Sequence, residues 1–275
     1  MTYVHTLRGE HIRMVFMVDF GKYENSGQLA ALIEELDKNK RLINGTSLED
    51  WVRARNQEAF RVDFIYNTNA IEGNTLTLGE TALVVNENIT IAEKSLVCHL
   101  EAVGLAHAFD FVERLAKNER TLTEFDIKQI HSLVLADKPE HKGVYRNVSV
   151  FISGSNAVLC EPLLIPERMR DLLYNYQASE RPTLAKIAEF HVFFEQIHPF
   201  RDGNGRTGRL LLNLLLLRDG YLPINIKFTD RRQYMQSLET AQTTGDTTDF
   251  VQMVLSLQLL EQKRRLKQIE EQNGS

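Results

Sequence analysis

The twelve residues from His198 to Arg209 contain most of the side chains in this chain that could do chemistry together. An imidazole, a carboxylate, an amide, arginines and a glycine-rich turn lie within this run. Histidine is the side chain best suited to accept a proton near neutral pH. Arginine contacts phosphate oxygens at two points. The run therefore predicts a polyphosphate site beside a general base.

A predicted helix over 204–219 must position this site. Gly203, Asn204 and Gly205 open the helix, and Gly220 ends it. The N-terminus of a helix presents unpaired N–H groups and a partial positive charge. Glycine lets the backbone approach a phosphate oxygen closely, so we expect these three opening residues to form an anion cradle.

The charged residues of the run suggest a metal-assisted reaction at phosphorus. Arg206 and Arg209 are three residues apart, so we expect them on one face of the helix, binding phosphate. A carboxylate such as Asp202 is not attracted to an anion, but Mg²⁺ is often held by one carboxylate and substrate phosphates. His198 precedes a proline that disfavours helix, and we predict that it accepts a proton from an attacking hydroxyl or water.

The pattern His-Pro-Phe-x-Asp-Gly-Asn-Gly-Arg-x-x-Arg over 198–209 resembles the signature of Fic-domain proteins, with each fixed position present. The resemblance implies a helical bundle with a β-hairpin flap that transfers AMP from ATP to a Tyr, Thr or Ser hydroxyl of a target protein. It implies these roles: His198 the general base, Asp202 the Mg²⁺ ligand, Asn204 with the Gly203 and Gly205 backbone the anion cradle, Arg206 and Arg209 the phosphate ligands, and Phe200 an apolar anchor. Related Doc-type kinases carry lysine at the position of Gly205, so the glycine favours nucleotidyl over phosphoryl transfer.

A second segment, Thr68 to Thr75, lies well before the signature. Read locally, Glu72 and Gly73 end a short helix with a glycine cap. Beside the signature, the segment resembles the Fic inhibitory motif Ser/Thr-x-x-x-Glu-Gly/Asn. The resemblance implies that Glu72 pairs with Arg209 in the site of the ATP γ-phosphate, so that the α-phosphate is turned away from the attacking hydroxyl. In some relatives the same glutamate helps to remove AMP, which the sequence leaves open here.

The segment 143–160 alternates in a way typical of strands. Gly143 to Ile152 is rich in β-branched and aromatic residues, 153–156 has turn composition, and 157–160 suits a return strand. Such a hairpin either joins helices at the surface or, as in the family, forms a flap whose edge pairs with the target protein. We expect a target to dock near 144–160.

The nucleoside pocket is predicted on the next helix, over 230–243. In relatives this helix lines the adenosine pocket, and the candidates here are Tyr234 and Gln242. Family members often have tyrosine and asparagine near these positions. Gln242 departs from that pattern, so the sequence leaves other nucleotides open.

Composition agrees with a soluble intracellular enzyme. The chain has 275 residues, 43% hydrophobic and 25% charged, with two cysteines and a net charge of −5. This charge argues against a nucleic-acid partner. The apolar stretch over 12–18 is too short for a membrane span. We expect a cytoplasmic protein without a membrane partner, and a homo-oligomer stays open.

Periodicity predicts helices separated by short loops. We expect three regions: an N-terminal extension packed on the core (1–59), a Fic-like catalytic core (60–260) and a charged helical tail (261–275). The predicted helices cover 27–40, 48–66, 77–89, 94–118, 123–136, 166–178, 183–198, 204–219, 230–243 and 246–270.

Two other functions fit the same residues. One is a Mg²⁺-dependent hydrolase in which His198 activates water, or a transferase of another nucleotide, with no protein modified. The other is a catalytically inactive regulator that binds nucleotide. The flap and Glu72 argue against the first, and the intact His198 and Asp202 argue against the second.

Overall fold

The computed structural model describes residues 27–118, 120–152, 154–155, 157–178 and 184–273, and these residues are mainly helical. The predicted helical fold class is confirmed. The α-helices are α1 (Gly27–Asn44), α2 (Asp50–Ile71), α3 (Leu78–Glu87), α4 (Leu96–Ala116), α5 (Glu124–Val134), α6 (Ile165–Ala178), α7 (Leu184–Ile197), α8 (Asn204–Arg218), α9 (Arg231–Thr244) and α10 (Thr248–Asn273).

Capping residues explain where several helices begin. The side-chain oxygens of Thr77 and Thr123 each accept from the backbone N–H three positions on, in α3 and α5, and their own backbone N–H groups donate to the acidic side chain of that same residue. The hydroxyl oxygen of Ser95 caps α4 by accepting from the N–H of Cys98. Such caps satisfy N–H groups that have no partner within the helix.

Helix α8 occupies the centre of the molecule and packs against α4 and α7. Its leucines from 210 to 216 are buried, since the helix is apolar around nearly its whole circumference there. Asn213, the polar exception, donates to the carbonyl of Ile224 and accepts from its N–H group. Because most of the helix is enclosed, its N-terminus is held at the edge of the core.

Helix α2 is longer than the sequence predicted. The predicted end near residue 66 is wrong, because the helix continues to Ile71 with Glu72 as its C-terminal cap. Buried polar side chains such as Asn67, Thr68 and Asn69 obscure the apolar period there. The predicted short helix before Gly73 is thus the last turn of α2. Gly73 has a φ of 97°, which suits glycine.

The segment 144–160 has no strand among its described residues, which exclude 153 and 156. The predicted β-hairpin is therefore not confirmed. The two predicted strands, 143–152 and 157–160, are joined by one guanidinium group in place of backbone pairing: Arg146 donates to the carbonyls of Val148 and Cys160, at 2.9 and 2.5 Å. Alternating composition favours extended backbone. Here the side chain of Arg146 donates to carbonyl groups that could otherwise accept from a paired strand.

Helix α10 crosses the predicted boundary between core and tail. It runs without a break through residue 261, and Gln262 and Ile269 are buried. Gln262 donates to the carbonyl of Leu36 at 3.0 Å, and α10 packs along α1. Residues 1–26 of the predicted N-terminal extension, including the stretch 12–18, lie outside the described residues. No helix in the described ranges is long and apolar enough to cross a membrane.

Candidate active site

The site begins where α7 ends. The N–H of His198 still donates to the carbonyl of Phe194, at 2.9 Å, but His198 itself has a φ of 48°. Pro199 disfavours the right-handed helical conformation at the residue before it, so the chain leaves the helix at His198. The left-handed conformation is uncommon for a residue with a side chain. His198 is therefore set at a sharp bend that directs the following loop back across the core.

A buried histidine supports the loop from below. His131 of α5 stacks on Phe200, with ring centroids 3.6 Å apart and an angle of 4° between the planes. Its Nε2–H donates to the carbonyl of Asp202 at 2.9 Å, and its Nδ1 accepts from the N–H of Gly143 at 3.0 Å. Burial lowers the pKa of His131 to about 4, so it is neutral and keeps one tautomer. Phe200 is fully buried, as an apolar anchor would be.

Asn204 closes the loop from within. Its side-chain oxygen accepts from the N–H of Phe200, and its side-chain nitrogen donates to the carbonyl of the same residue, both at 2.9 Å. The amide is thus occupied by the loop, and only the backbone of Asn204 is available to an anion. Gly203, at a φ of 76°, provides the left-handed turn before the helix.

The N-terminus of α8 opens into a cavity of about 300 Å³. The first N–H of α8 with a backbone acceptor belongs to Thr207, which donates to the carbonyl of Gly203, so those before it face outward. His198, Gly205, Arg209 and Glu72 all line the cavity. It therefore combines a base, a cation and a helix N-terminus, which is the set that the sequence predicted.

Glu72 reaches across this cavity to Arg209. Its Oε1 accepts from Nη2 of Arg209 at 2.7 Å, and the same nitrogen donates to the carbonyl of Thr68 at 3.0 Å. Burial opposes the charge of Arg209, but Tyr234 and Glu72 outweigh this and raise its pKa above the ordinary value. A Cβ on Gly205 would lie 2.4 Å from Oε1 of Glu72. Glycine is thus the residue that lets Glu72 lie against the helix N-terminus.

Arg206 points elsewhere. It is buried, donates to Glu101 of α4 at 3.0 Å and lies 3.5 Å from Oδ1 of Asp202. It is absent from the cavity lining, whereas Arg209 is part of it. The expectation that both arginines bind phosphate stays a prediction, and of the two only Arg209 lines the cavity. The two guanidinium groups have different partners: Arg206 pairs with Glu101 and Asp202, and Arg209 pairs with Glu72.

Asp202 lies at the rim, with its side chain 42% exposed. Oδ1 accepts from the N–H of Gly203, and Oδ2 accepts from the ammonium group of Lys138. Burial alone would raise the pKa of Asp202, but Lys138 and Arg206 hold it below the ordinary value. Asp202 is therefore a carboxylate at neutral pH. Sequence reasoning missed Lys138, which lies 64 residues away in the chain.

His198 is placed to accept a proton. Burial lowers its pKa to about 4, and the charge of Arg146 acts in the same direction, while the carbonyl of Glu195 opposes it. The Nδ1–H faces that carbonyl at 3.3 Å, which leaves Nε2 with a free lone pair. The ring is therefore neutral near pH 7, as a general base must be.

Tyr234 and Gln242 both line the cavity. Tyr234 is almost fully buried, and its hydroxyl lies 3.0 Å from Nε2 of His191 and 3.4 Å from Nη1 of Arg209. This places Tyr234 beneath Arg209, where it helps to fix the guanidinium. Gln242 is half-buried. Other lining residues were not predicted from sequence: Ile152, Ser155, Glu195, Arg231, Met235, Leu238 and Glu239.

A larger cleft of about 480 Å³ lies between α9 and α10. It is lined by amide, hydroxyl and apolar side chains with Asp230 and Asp249, and it contains no arginine, lysine or histidine. A phosphate has no cation to contact there. The smaller cavity at α8 is thus the one suited to the predicted chemistry.

Arg146 joins the segment 144–160 to the loop. Its backbone N–H donates to the carbonyl of Pro199 at 2.9 Å, and its Nε donates to the carbonyl of His198 at 2.7 Å. Ile152 and Ser155 of the same segment line the cavity. The segment therefore lies beside His198, the predicted general base, as the predicted docking region should.

Comparison with known proteins identifies the family to which this site belongs. Residues 121–216 match the model of the Fic/DOC family. The chain is 37% identical over 196 residues to the protein adenylyltransferase Fic of Nematostella vectensis, an alignment that covers 69% of this chain and 45% of that protein. It is 34% identical over 197 residues to the protein adenylyltransferase fic-1 of Caenorhabditis elegans, covering 70% and 38%. The chain thus spans less than half the length of these relatives.

Solved structures agree on the fold. A structure of Fic-1 (residues 134–508) from C. elegans has a TM-score of 0.76 at 27% identity, covering 95% of this chain and 78% of that one. A Fic domain containing signaling protein from Bacteroides thetaiotaomicron has a TM-score of 0.75 at 27% identity, covering 87% and 97%. The helical arrangement around the cavity is therefore one found in solved Fic structures.

Proposed function

The chain contains a domain of the Fic/DOC family, and from this premise we propose that it is a protein adenylyltransferase, which moves AMP from ATP to a hydroxyl side chain of a target protein. One observation carries the proposal: His198, Arg209 and the N-terminus of α8 line a single cavity. A base beside cationic phosphate ligands suits attack of a hydroxyl on phosphorus. The names of the relatives point to the same reaction.

His198 is the general base in this reaction. Nε2 takes the proton of the target hydroxyl as its oxygen bonds to the α-phosphorus, and pyrophosphate leaves. The low pKa of about 4 keeps the ring neutral before the step. The bond from Nδ1–H to the carbonyl of Glu195 fixes which nitrogen accepts. General-base catalysis of this kind contributes about 10² to 10⁴ in rate.

Arg209 and the first N–H groups of α8 bind the phosphates. Gly203 and Gly205 allow close approach of the backbone, and Asn204 keeps the loop in shape through Phe200. Arg206 acts indirectly, because it contacts Asp202 and does not line the cavity. Tyr234 and Gln242 are the proposed contacts of the nucleoside.

Asp202 is the proposed Mg²⁺ ligand. Mg²⁺ is commonly held by one or two carboxylates together with substrate phosphates. Asp202 fits this role because it is ionised and partly exposed at the rim. No cluster of three or more potential metal ligands occurs among the described residues, so the phosphates would complete the coordination. Bound Mg²⁺ would neutralise charge on the phosphates.

Glu72 inhibits the enzyme in this conformation. Its bond of 2.7 Å to Arg209 occupies the guanidinium that the γ-phosphate of ATP needs. Nucleotide that binds beside Glu72 must then place its α-phosphate out of line with the target hydroxyl. Misplacement by about 1 Å costs about 10²-fold in rate. Removing Glu72 should therefore activate transfer.

The target protein docks at the segment 144–160. Phe151 and Val158 are 93% and 84% exposed, and Ile152 lines the cavity. A target that covers these side chains would bring its hydroxyl to His198. The apolar character of the segment suits a protein partner better than a free nucleotide or water.

The test is a transfer assay with Mg²⁺ and ATP labelled at either the α- or the γ-phosphate. Wild type, Glu72→Gly and the double variant Glu72→Gly/His198→Ala are incubated with cell lysate as a source of targets. Protein-bound α-label should rise about 10²-fold in Glu72→Gly and fall at least about 10²-fold in Glu72→Gly/His198→Ala. Retained ATP binding in the double variant shows that the loss is in chemistry.

Matched controls come from the same chain. Glu87→Gly removes an exposed carboxylate at the end of α3, and His107→Ala removes an exposed histidine of α4. Neither should change transfer. Protein-bound γ-label would indicate a kinase instead, and label released only as free nucleotide would indicate the hydrolase.

A further inference from the structure

Glu195 is a buried carboxyl group that the proposed mechanism does not use. It belongs to α7, is 5% exposed and lines the catalytic cavity. Its Oε1 has no hydrogen-bond partner among the described residues. An unpartnered buried polar atom is costly and calls for an explanation. The cavity location suggests that the explanation is functional.

The side chain of Glu195 faces the general base. Its Oε2 lies 3.9 Å from Nδ1 of His198, one helical turn away, while its own carbonyl lies 3.3 Å from the same nitrogen. Both the backbone and the side chain of Glu195 thus face the nitrogen of His198 opposite the catalytic one.

Helix α8 leaves room for this carboxyl group at one position. A Cβ on Gly208 would lie 2.2 Å from Oε1 of Glu195 and 3.0 Å from Cε1 of His191. Contacts this short do not occur, so a larger residue at 208 would push the carboxyl group of Glu195 out of its present place. Gly208 follows the cradle in sequence, and its small size is explained by Glu195.

We propose that Glu195 is a positioning residue for His198: its backbone carbonyl receives the Nδ1–H of the ring, and its carboxylate, with Oε2 3.9 Å from the same nitrogen, balances the positive charge that forms when Nε2 accepts the proton of the target hydroxyl. The inference rests on the proposed function. The proton stays on His198, the new bond joins the hydroxyl oxygen to the α-phosphorus, and pyrophosphate leaves. Glu195 supplies charge and orientation and exchanges no proton.

Several charged or titratable groups surround Glu195. His191 and His198 lie on its own helix, Arg209 on α8, Tyr234 on α9 and Glu72 at the end of α2. Burial raises the pKa of Glu195 to about 8, Arg209 opposes the rise, and Glu72 adds to it. Glu195 is therefore mostly protonated at pH 7 when Glu72 is present, and its pKa falls when Glu72 is removed. Glu72 would then inhibit twice, by holding Arg209 and by keeping Glu195 neutral.

Glu195 can balance the charge on His198 only in its ionised form, so the rate of transfer should rise with pH through the pKa of Glu195. In wild type this inflection should lie near the pKa of about 8. In Glu72→Gly it should lie at lower pH, because a negative neighbour is gone.

The first measurement does not need activity. Nuclear magnetic resonance follows the Cε1–H signal of His198, assigned with His198→Ala, from pH 5 to 10. Wild type should show an inflection near pH 8 that reports the ionisation of Glu195, and Glu72→Gly should show it at lower pH. Glu195→Gln should lack it. A wild-type His198 signal without this inflection would overturn the inference with no variant required.

The second measurement is the pH profile of α-label transfer in the Glu72→Gly background. Adding Glu195→Gln should reduce kcat about tenfold above the inflection and remove the rise with pH. Adding Glu195→Asp in place of Glu195→Gln should restore part of kcat and part of the rise with pH. A Glu195→Gln profile that keeps the rise would overturn the inference.

Glu189→Gln is the matched control. Glu189 is buried in the same helix, and burial raises its pKa to about 7, but its Oε1 accepts from Thr247 and it does not line the cavity. This variant should keep both the inflection and the rate. If Glu72→Gly transfers no label at any pH, the proposed function fails while the resonance of His198 still decides the role of Glu195.

Discussion

The loop from His198 to Asn204 and the segment 144–160 meet at one cavity but are held in different ways. Within the loop, Phe200 is fully buried, its N–H and carbonyl groups both bond to Asn204, and His131 supports it. The segment exposes 93% of Phe151, and the side chain of Arg146 bonds to two of its carbonyls. The loop is thus fixed by buried contacts within the chain, whereas the described part of the segment presents exposed apolar side chains.

The largest effect on stability is expected when the support of the loop is removed. His131→Ala deletes a stacked ring and leaves the carbonyl of Asp202 and the N–H of Gly143 without partners. Loss of packing and of two buried hydrogen bonds should lower the free energy of unfolding by about 3 kcal/mol. Urea unfolding followed by circular dichroism measures this.

The exposed residue His107 provides the control for this variant. His107→Ala should change the free energy of unfolding by less than about 0.5 kcal/mol. A His131→Ala protein as stable as His107→Ala would mean that the loop does not depend on the ring beneath it, and the contrast with the segment would disappear.

A smaller effect is expected at the residue that joins the two regions. Arg146→Met keeps much of the apolar stem but removes the donors to the carbonyls of His198, Val148 and Cys160. Since some of these carbonyls can bind water, the free energy of unfolding should fall by about 1–2 kcal/mol. In the Glu72→Gly background, transfer to target should fall more than ATP binding, which calorimetry measures.

Arg146→Lys separates the charge of this residue from its geometry. Lysine keeps the charge but cannot reach several carbonyls at once. If Lys restores transfer fully, the segment is held by charge alone, and if ATP binding falls as much as transfer, Arg146 supports the whole site rather than the segment.

The features best predicted from the sequence are those that depend on residues close together in the chain. Helix positions follow from apolar periodicity, and the loop follows from Pro199, the glycines and the anchor Phe200. The pairing of Glu72 with Arg209 was predicted through a resemblance to a family motif, and the structure places the two side chains 2.7 Å apart. Each of these features has a signal within a few residues or in a recognised pattern.

Contacts between distant helices were not predictable. His131, Lys138 and Glu101 contact the signature from other helices or loops, and nothing in their local sequence indicates this. Helical spacing predicts that Arg206 and Arg209 share one face but does not say which carboxylate each will meet. Glu195, three residues before His198, was not singled out from the sequence, although its spacing of one helical turn was a local signal.

The smallest effect on stability, and the sharpest test of the contrast, is expected at Phe151. Because its side chain is 93% exposed, Phe151→Ser should change the free energy of unfolding by less than about 0.5 kcal/mol. If a target covers the segment, burial of Phe151 stabilises the complex by about 1.5–3 kcal/mol, so the variant should raise KM for target about tenfold or more and leave ATP binding unchanged. Leu163→Ser provides the control, because Leu163 is 94% exposed but lies outside 144–160. Equal target KM values for the two variants would show that the segment does not bind the target, and that its exposed side chains are ordinary surface.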